Sequence, residues 1–328
     1  MTRRILLKAV CLGALTMFGA LASNTASAQA WPDKPVKLVL SQPPGSGPDS
    51  VARLVGEKLQ QAWGQPVVVD NKPGGQNVIG AQAVARAAPD GYTFYFATAA
   101  ALVTNSYMFK TLPYDPQKDF APVAFVGTSP FAVLVRAESP IKSIEDLIAQ
   151  AKANPGKLSI ANEGPKTFGG LTTRLFASRA KIEATMVAYV SVGVAVQDTI
   201  GGHTDALMAD LASTAPLIKQ GRLRVLATTA AKRVGGWEQT PALSELLPGF
   251  DMVGWFAVVA PTGTPPAAIN RFNKDLDAVL RDKDMAERIH NIGPIADGTG
   301  TPDMLGSYLS REHARWNEIS KEIGLLPE

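Results

Sequence analysis

The feature that most constrains the fold of this sequence is a regular alternation of short apolar runs with segments of helical periodicity. Val36–Leu40 is an apolar run rich in β-branched residues, which predicts a buried strand. Residues 49–63 follow with apolar positions at helical spacing, and the order strand, helix, strand, helix, strand continues to Ala97. This order predicts the α/β class, with a mostly parallel sheet and right-handed crossovers.

A second series of alternating segments predicts a second α/β unit in the same chain. Residues 131–135 are predicted to form a strand, and Ser143 begins a helix with two acidic residues in its first turn. Near the C terminus, Pro265 and Pro302 each begin a long helix, a position where proline is favoured. The chain is therefore long enough, and regular enough, for two lobes.

The two predicted lobes are joined without a flexible linker. No Gly/Ser-rich stretch separates them, so we expect strands that cross from one lobe to the other near residues 127–130 and 252–255. The first lobe is predicted to comprise residues 31–127 with 256–328, and the second residues 128–255. A ligand cleft is expected between them.

The N-terminal segment has the three parts of a secretory signal peptide. A short basic start is followed by an uncharged apolar run over residues 9–22, and small residues at 26–28 fit the cleavage site. The apolar run is too short for a comfortable bilayer span. We predict a signal peptide over residues 1–28 and a periplasmic location. The start of the chain fits either a twin-arginine signal or ordinary export.

Removal of this segment changes the cysteine count and the charge. Cys11 is the only cysteine and is removed, so we expect neither a disulfide nor a thiolate metal site. Three of the 32 Lys and Arg are removed as well, which leaves 29 to balance 29 Asp and Glu. A net charge near zero argues against a nucleic-acid partner, which requires clustered positive charge.

Motifs for catalysis and metal binding are absent from the sequence. The first loop lacks the Gly-Lys-Ser/Thr of a phosphate-binding loop, and Ser50 stands where a dinucleotide fingerprint needs its third glycine. His203, His290 and His313 lack the spacing of metal ligands and are predicted to be surface residues. We therefore expect neither an enzyme nor a cofactor.

The loop after the first strand is a candidate ligand-binding segment, because ligands of open parallel sheets lie beyond the carboxyl ends of the strands. Residues 41–49 contain two glycines and lead directly into a helix, whose N terminus favours an anion. The loop is therefore either a carboxylate-binding loop or a tight turn capped by Asp49.

The matching loop of the second lobe, residues 162–170, also precedes a helix. Lys166 is either a ligand contact or a solvated lysine, and Phe168 either a ligand contact or a core residue. Asp210 is either a helix cap or a ligand contact. The full set of predicted ligand-binding residues is Pro44, Gly45, Ser46, Gly47, Asp49, Thr98, Ala99, Lys166, Thr167, Phe168, Gly169, Tyr189, Ser191 and Asp210.

Motifs in order along the chain resemble the solute-binding receptors of tripartite tricarboxylate transporters, also called the Bug family. They lie at residues 31–36, 43–49, 64–74, 88–93, 112–116, 118–123, 221–227 and 261–265. The resemblance implies a type II periplasmic-binding-protein fold. It also implies a ligand carboxylate held by amides and hydroxyls of the first loop and the Thr167 loop, with ordered waters towards the first lobe. The implied partner is a permease with a large and a small membrane subunit.

Three segments depart from the family pattern and bear on the ligand. Residues 97–99, 165–169 and 189–192 replace the family's small polar groups with apolar ones, a phenylalanine and a lysine. We therefore predict a flat aromatic carboxylate, with terephthalate as the sharpest candidate, bound by a monomeric receptor.

Two alternatives in function stay open from the sequence. One is a component that presents its ligand to a sensor kinase, and the other is a periplasmic enzyme on the same scaffold. A transcription-factor effector domain is disfavoured by the export signal and by the missing helix-turn-helix.

Overall fold

A mixed sheet with helices packed against it forms the framework of the molecule. The computed structural model describes residues 31–292, 294–296 and 298–327, so the signal peptide predicted over residues 1–28 lies outside the described residues. The strands are β1 Val36–Leu40, β2 Val67–Asn71, β3 Thr93–Thr98, β4 Phe120–Arg136, β5 Ser159–Asn162, β6 Thr185–Ala188, β7 Ala206–Asp210, β8 Leu223–Thr228 and β9 Val253–Pro261. The α-helices are α1 Gly47–Trp63, α2 Val78–Ala85, α3 Asn105–Met108, α4 Ile144–Ala153, α5 Phe168–Ala180, α6 Val192–Gly201, α7 Leu211–Lys219, α8 Leu243–Leu246, α9 Pro266–Arg281, α10 Lys283–Ile292 and α11 Pro302–Glu322.

The order of strands divides the sheet into two halves. The order is β2-β1-β3-β9-β4-β7-β5-β6, and β8 also pairs with β4. The strands β1, β2 and β3 are parallel and define the first half, and β5, β6 and β7 are parallel and define the second half. The predicted α/β class is confirmed, and β4 and β9 are long antiparallel strands at the junction.

The strand β4 passes continuously from one half of the sheet to the other. Residues 120–130 pair with β9, and residues 131–136 pair with β7 and β8. The two crossings predicted from the sequence lie side by side, because Thr128 pairs with Trp255 and Pro130 pairs with Val253. Residues 34–328 form one compact unit, and the lobe boundaries stay a prediction.

The first half is completed by helices from the end of the chain. The ring of Phe272 in α9 packs on Phe94 in β3 at 4.3 Å and on Trp63 in α1 at 5.4 Å between centroids. The indole nitrogen of Trp63 also donates to Asp275 at 2.6 Å. The core of the first half is therefore built from residues far apart in the sequence.

Most predicted helix starts are confirmed. The Ser143 hydroxyl accepts from Asp146 N while the Asp146 carboxylate accepts from the Ser143 backbone, a capping box at the start of α4. The helix predicted from Pro265 begins at Pro266, whereas α10 is an addition to the prediction. Within the described residues, no helix combines the length and the apolar character needed to cross a membrane.

The prediction of three surface histidines is wrong for His313. Its Nδ1 atom is buried and has no hydrogen-bond partner among the described residues, and burial lowers the pKa of this imidazole. The periodic pattern of α11 gave no sign of this, because the neighbours of His313 include charged residues on both sides.

Candidate ligand-binding site

Four helices begin where parallel strands of the sheet end. These are α1 after β1, α5 after β5, α6 after β6 and α7 after β7. Their capping residues are Ser46, Thr167, Ser191 and Asp210, and each side chain accepts a hydrogen bond from the backbone N–H three residues later, at 2.8–3.5 Å. First-turn N–H groups that have no partner within the helix favour an anion, although Pro48 in α1 has no N–H and the Ala212 N–H in α7 donates to Asp210.

The first predicted loop is fixed by Asp49. Its carboxylate is buried and accepts hydrogen bonds from Gly45 N at 2.8 Å, Arg53 Nε at 2.9 Å and Asn71 Nδ2 at 2.8 Å. Burial by itself raises the pKa of Asp49, but these donors outweigh it and hold the pKa below the ordinary value. The alternative in which Asp49 caps α1 is wrong, because Ser46 does so and Asp49 lies in the first turn.

A polar cluster at the ends of β1 and β3 extends the predicted site. Gln42 Nε2 donates to Asn77 Oδ1 at 2.6 Å and lies 3.4 Å from Thr98 Oγ1, and Ser41 Oγ lies 2.5 Å from the Tyr95 hydroxyl. Of these residues Thr98 was predicted individually, and Ser41 and Gln42 lie in the predicted first loop. The sequence signal for Asn77 was the pair Gly74-Gly75 shortly before it, because glycines permit the left-handed backbone of the turn in which Asn77 lies.

Three oxygen atoms next to this cluster are buried without a partner among the described residues. They are Gln42 Oε1, Thr104 Oγ1 and Asn105 Oδ1. Buried polar atoms in proteins nearly always have a protein or water partner. These oxygens can therefore accept hydrogen bonds from ordered water or from a ligand. Ala99, which was among the predicted ligand-binding residues, is buried.

The loop between β5 and α5 is held tightly against the first turn of α5. Asn162 Oδ1 accepts from Gly164 N at 2.9 Å, and the Thr167 hydroxyl donates to Gly164 O at 2.9 Å. A Cβ atom added to Gly170 would lie 2.0 Å from Gly164 O, so only glycine fits at this position. The geometry of the first turn of α5 is thus set by the loop.

The two residues whose roles were left open in this loop both contact aromatic rings. Phe168 packs on Phe131 at 5.2 Å and on Trp316 at 5.9 Å between centroids, and it is only partly buried. The Lys166 ammonium lies 5.4 Å from the centroid of Phe109, a residue beyond β3. Ligand contact by either residue stays a prediction.

The connection between β6 and α6 runs beside the Thr167 loop. A Cβ atom on Gly164 would lie 4.0 Å from Tyr189 O. The Tyr189 hydroxyl donates to Asp198 Oδ2 at 2.8 Å, and Ser191 caps α6. Both side chains are therefore used within the second half, and their contact with a ligand stays a prediction.

The start of α1 in the first half meets the start of α7 in the second. A Cβ atom on Gly47 would lie 3.1 Å from Ala212 Cβ and 3.4 Å from Asp210 Oδ1. Asp210 is 9% exposed and caps α7 through Ser213, whose N–H and hydroxyl both donate to its carboxylate. The first predicted loop and Asp210 are thus brought together.

Glu163 lies in the predicted loop of residues 162–170 but was not among the individually predicted ligand-binding residues. Its Oε2 atom lies 3.8 Å from the Cβ position of Gly169, at the start of α5, and the side chain is partly buried. Burial, and then the negative charge of Asp210, raise the pKa of Glu163 to about 7. The available signal was its position in the candidate loop of residues 162–170, which follows β5.

Two cavities lie away from these helix starts. One of about 280 Å³ lies between α5 and α11, and a more open one of about 550 Å³ lies along residues 106–116. Neither is lined by the capping residues, so we assign the site from the converging helices. Within the described residues, no group of three His, Cys, Asp or Glu side chains is arranged to hold a metal ion.

Comparisons with known proteins identify similar chains. The family model described as "Tripartite tricarboxylate transporter family receptor" matches residues 51–325. A UPF0065 protein of Bordetella bronchiseptica is 38% identical over 308 residues, which cover 94% of this chain and 91% of that protein.

Two solved structures extend this similarity to the fold. Rpa4515 of R. palustris with adipate has a TM-score of 0.85 and 32% identity, covering 91% of this chain and 100% of that one. MatC of Rhodopseudomonas palustris with bound malate has a TM-score of 0.78 and 26% identity, covering 88% of this chain and 99% of that one.

Proposed function

The chain belongs to the tripartite tricarboxylate transporter family of receptors, and from this premise we propose that it captures a small carboxylate between the two halves of its sheet. Receptors of this family are periplasmic binding proteins and not enzymes. The captured ligand is delivered to a membrane permease with a large and a small subunit. The receptor acts as a monomer.

The approach of Gly47 to Asp210 and Ala212 carries this proposal. It brings the N terminus of α1 against the N terminus of α7, and a Cβ atom on Gly169, in the first turn of α5, would lie 3.6 Å from Met208 O in β7. The helix dipole favours negative charge at each of these places. A carboxylate is the anion that matches the ligands of Rpa4515 and MatC.

Dicarboxylates are the ligand class that the site supports best, with terephthalate as the sharpest candidate. Adipate and malate, in the two similar structures, each have two carboxylates. Helix starts in both halves suit a ligand with a charge at each end. Phe131 and Phe168 add an apolar surface beside α5, which suits an aromatic ring.

Ligand capture proceeds by closure of two lobes, residues 31–127 with 256–328 and residues 128–255. The strands β4 and β9 cross between them and act as the hinge. A ligand that contacts both lobes binds the closed state more tightly, and this difference in affinity shifts the population towards closure.

The test is a thermal-shift screen of residues 29–328 followed by calorimetry. Adipate, malate, citrate, terephthalate and glutamate are compared at equal concentrations. A ligand at 100 times its Kd should add about 2.7 kcal/mol to the free energy of unfolding, and it should be recovered unchanged. Tighter binding of citrate or glutamate than of terephthalate rejects the aromatic ligand. Failure of every carboxylate rejects the receptor function, and a chemically altered ligand indicates an enzyme.

A further inference from the structure

The helix starts proposed to hold a ligand carboxylate already face two carboxyl groups of the protein. Glu163 Oε2 lies beside Gly169 at the start of α5, and Asp210 Oδ1 lies beside Gly47 at the start of α1. A ligand carboxylate bound here adds a third negative charge beside the buried Asp210 and the partly buried Glu163. Three ionised carboxylates in such a place repel one another strongly.

The two protein carboxyl groups differ in their hydrogen bonds. Asp210 accepts from the N–H and the hydroxyl of Ser213 at the start of α7, which stabilises its ionised form. For Glu163, burial and the charge of Asp210 act on the pKa, and no hydrogen bond opposes them. Burial raises the pKa of both groups, but only Asp210 has donors that oppose the rise. Glu163 is therefore the member of the pair that takes up a proton.

The other charged or titratable groups around this place have partners of their own. They are the Asp49–Arg53 ion pair on α1, the Tyr189–Asp198 hydrogen bond at the start of α6, and Lys166, whose ammonium lies over the Phe109 ring. The charge that acts on Glu163 is that of Asp210.

We propose that Glu163 is a specificity residue of this site, which donates a hydrogen bond from its protonated carboxyl group to a ligand carboxylate, so that ligand capture takes up one proton. The inference rests on the proposed function, because it concerns the same site. When the ligand binds, the Glu163 carboxylate takes one proton from solvent and the resulting O–H donates to a ligand oxygen. No other bond is formed or broken. The ligand class is thereby an anionic carboxylate, because a cationic group would keep Glu163 ionised.

The first experiment is isothermal titration calorimetry of wild-type protein with adipate and with terephthalate between pH 6 and 9. The affinity should be constant up to about pH 7 and then fall by up to about tenfold per pH unit. Titrations at pH 8 in phosphate and in Tris, whose heats of ionisation differ, should report uptake of about one proton per ligand bound.

The matched variants are Glu163→Gln and Glu183→Gln. In Glu163→Gln, an amide of the same shape replaces the carboxyl group. The amide donates a hydrogen bond at every pH, whereas the carboxyl group donates only when it is protonated, so the affinity of this variant for the ligand should be independent of pH. At pH 8.5 it should bind the same ligand about tenfold more tightly than wild type. Glu183 is exposed at the amino end of β6, and its variant should keep the wild-type pH profile.

The outcomes separate this inference from the proposed function. Binding with equal affinity at pH 6 and 9, and without proton uptake, overturns the inference and leaves the receptor function standing. An affinity that rises with pH also overturns it, since an ionised Glu163 would then accept from the ligand. If no carboxylate binds at any pH, both proposals fail together. The wild-type titration decides between these outcomes even if a variant fails to fold.

Discussion

Asp49, Asp210 and Glu163 are carboxyl groups at or near the candidate site, and the donors around each one decide its charge. Asp49 has donors from Gly45, Arg53 and Asn71, and its pKa is lowered. Burial raises the pKa of Asp210 in spite of its donors at the start of α7, and it raises the pKa of Glu163, which has a negative neighbour and no such donors. Burial alone therefore does not predict which carboxyl group carries a charge.

Glu163 should make the free energy of unfolding depend on pH. Its folded pKa of about 7 lies above the unfolded value of 4.5, so stability is fully present below about pH 4.5 and is lost as the pH rises to about 7. The free energy of unfolding of Glu163→Gln should equal that of wild type near pH 4.5 and should be about 1–3 kcal/mol higher at pH 8. Urea unfolding across this range measures the difference, and parallel pH profiles would contradict the assignment.

Asp49 should be required for stability. Asp49→Ala leaves three donors without their acceptor and should lower the free energy of unfolding by about 2–4 kcal/mol. The control is Asp70→Ala, because Asp70 is partly exposed and forms ion pairs with Lys37 and Lys72 near the surface, so the loss should be less than about 1 kcal/mol. Urea unfolding at pH 7 compares them. Equal losses would show that the network around Asp49 adds nothing beyond a surface ion pair.

At the scale of single residues, the sequence predicted the location of the candidate site well, but it did not predict which atoms form the site. The loops after β1 and β5 are identified by glycines, capping residues and position. The sequence does not show that Asn71 reaches Asp49, or that the charge of Asp210 acts on Glu163, because these interactions depend on distant segments meeting. The partners of a polar side chain are set by the fold and not by its neighbours in sequence.

The helices and strands themselves follow closely from periodicity, with β4 as the main exception. Only residues 131–135 were predicted as strand, whereas β4 begins at Phe120. Pro122 and Pro130 interrupt the pattern, because proline has no N–H for the ladder and normally marks an edge or an end. Here β9 pairs along this stretch with two register shifts, which accommodate the irregular positions.

The first turn of α5 should tolerate no side chain at Gly170. Gly170→Ala places a Cβ atom 2.0 Å from Gly164 O and should lower the free energy of unfolding by about 1–3 kcal/mol. Gly193→Ala is the control, because Gly193 lies in the first turn of α6 with no atom within 4 Å of the added Cβ. That change should cost less than about 0.5 kcal/mol or be stabilising. Urea unfolding measures the loss in both variants. Equal losses would contradict the close approach of Gly170 to Gly164 O.

At the scale of the whole molecule, the two halves of the sheet share structure. The strand β4 belongs to both, and α11 contacts α5 through Arg179, whose guanidinium forms two hydrogen bonds with Glu322 at 2.9 and 3.0 Å. Arg174 also donates to Ile323 O at 2.7 Å. Disruption of one half thus removes partners from the other.

The molecule should accordingly unfold in a single cooperative transition. Differential scanning calorimetry should show one endotherm whose calorimetric and van't Hoff enthalpies agree. Tryptophan fluorescence and far-UV circular dichroism should report the same midpoint in urea. Two separate endotherms would instead show that the halves are stable independently, in spite of their common strand.

During synthesis, the ribosome releases β1, β2 and β3 long before β9, which occupies the position between β3 and β4. The N-terminal half cannot finish folding until Pro261 has emerged, and Phe272, which packs on Phe94, emerges later still. Proteins whose domains are continuous in sequence fold them one after another as they are made. This nascent chain lacks that option, so the interleaved order of its strands keeps it incompletely folded for most of translation. On the ordinary export route, one of the two that the start of the chain fits, this keeps the chain unfolded and able to be translocated until its last helices have been made.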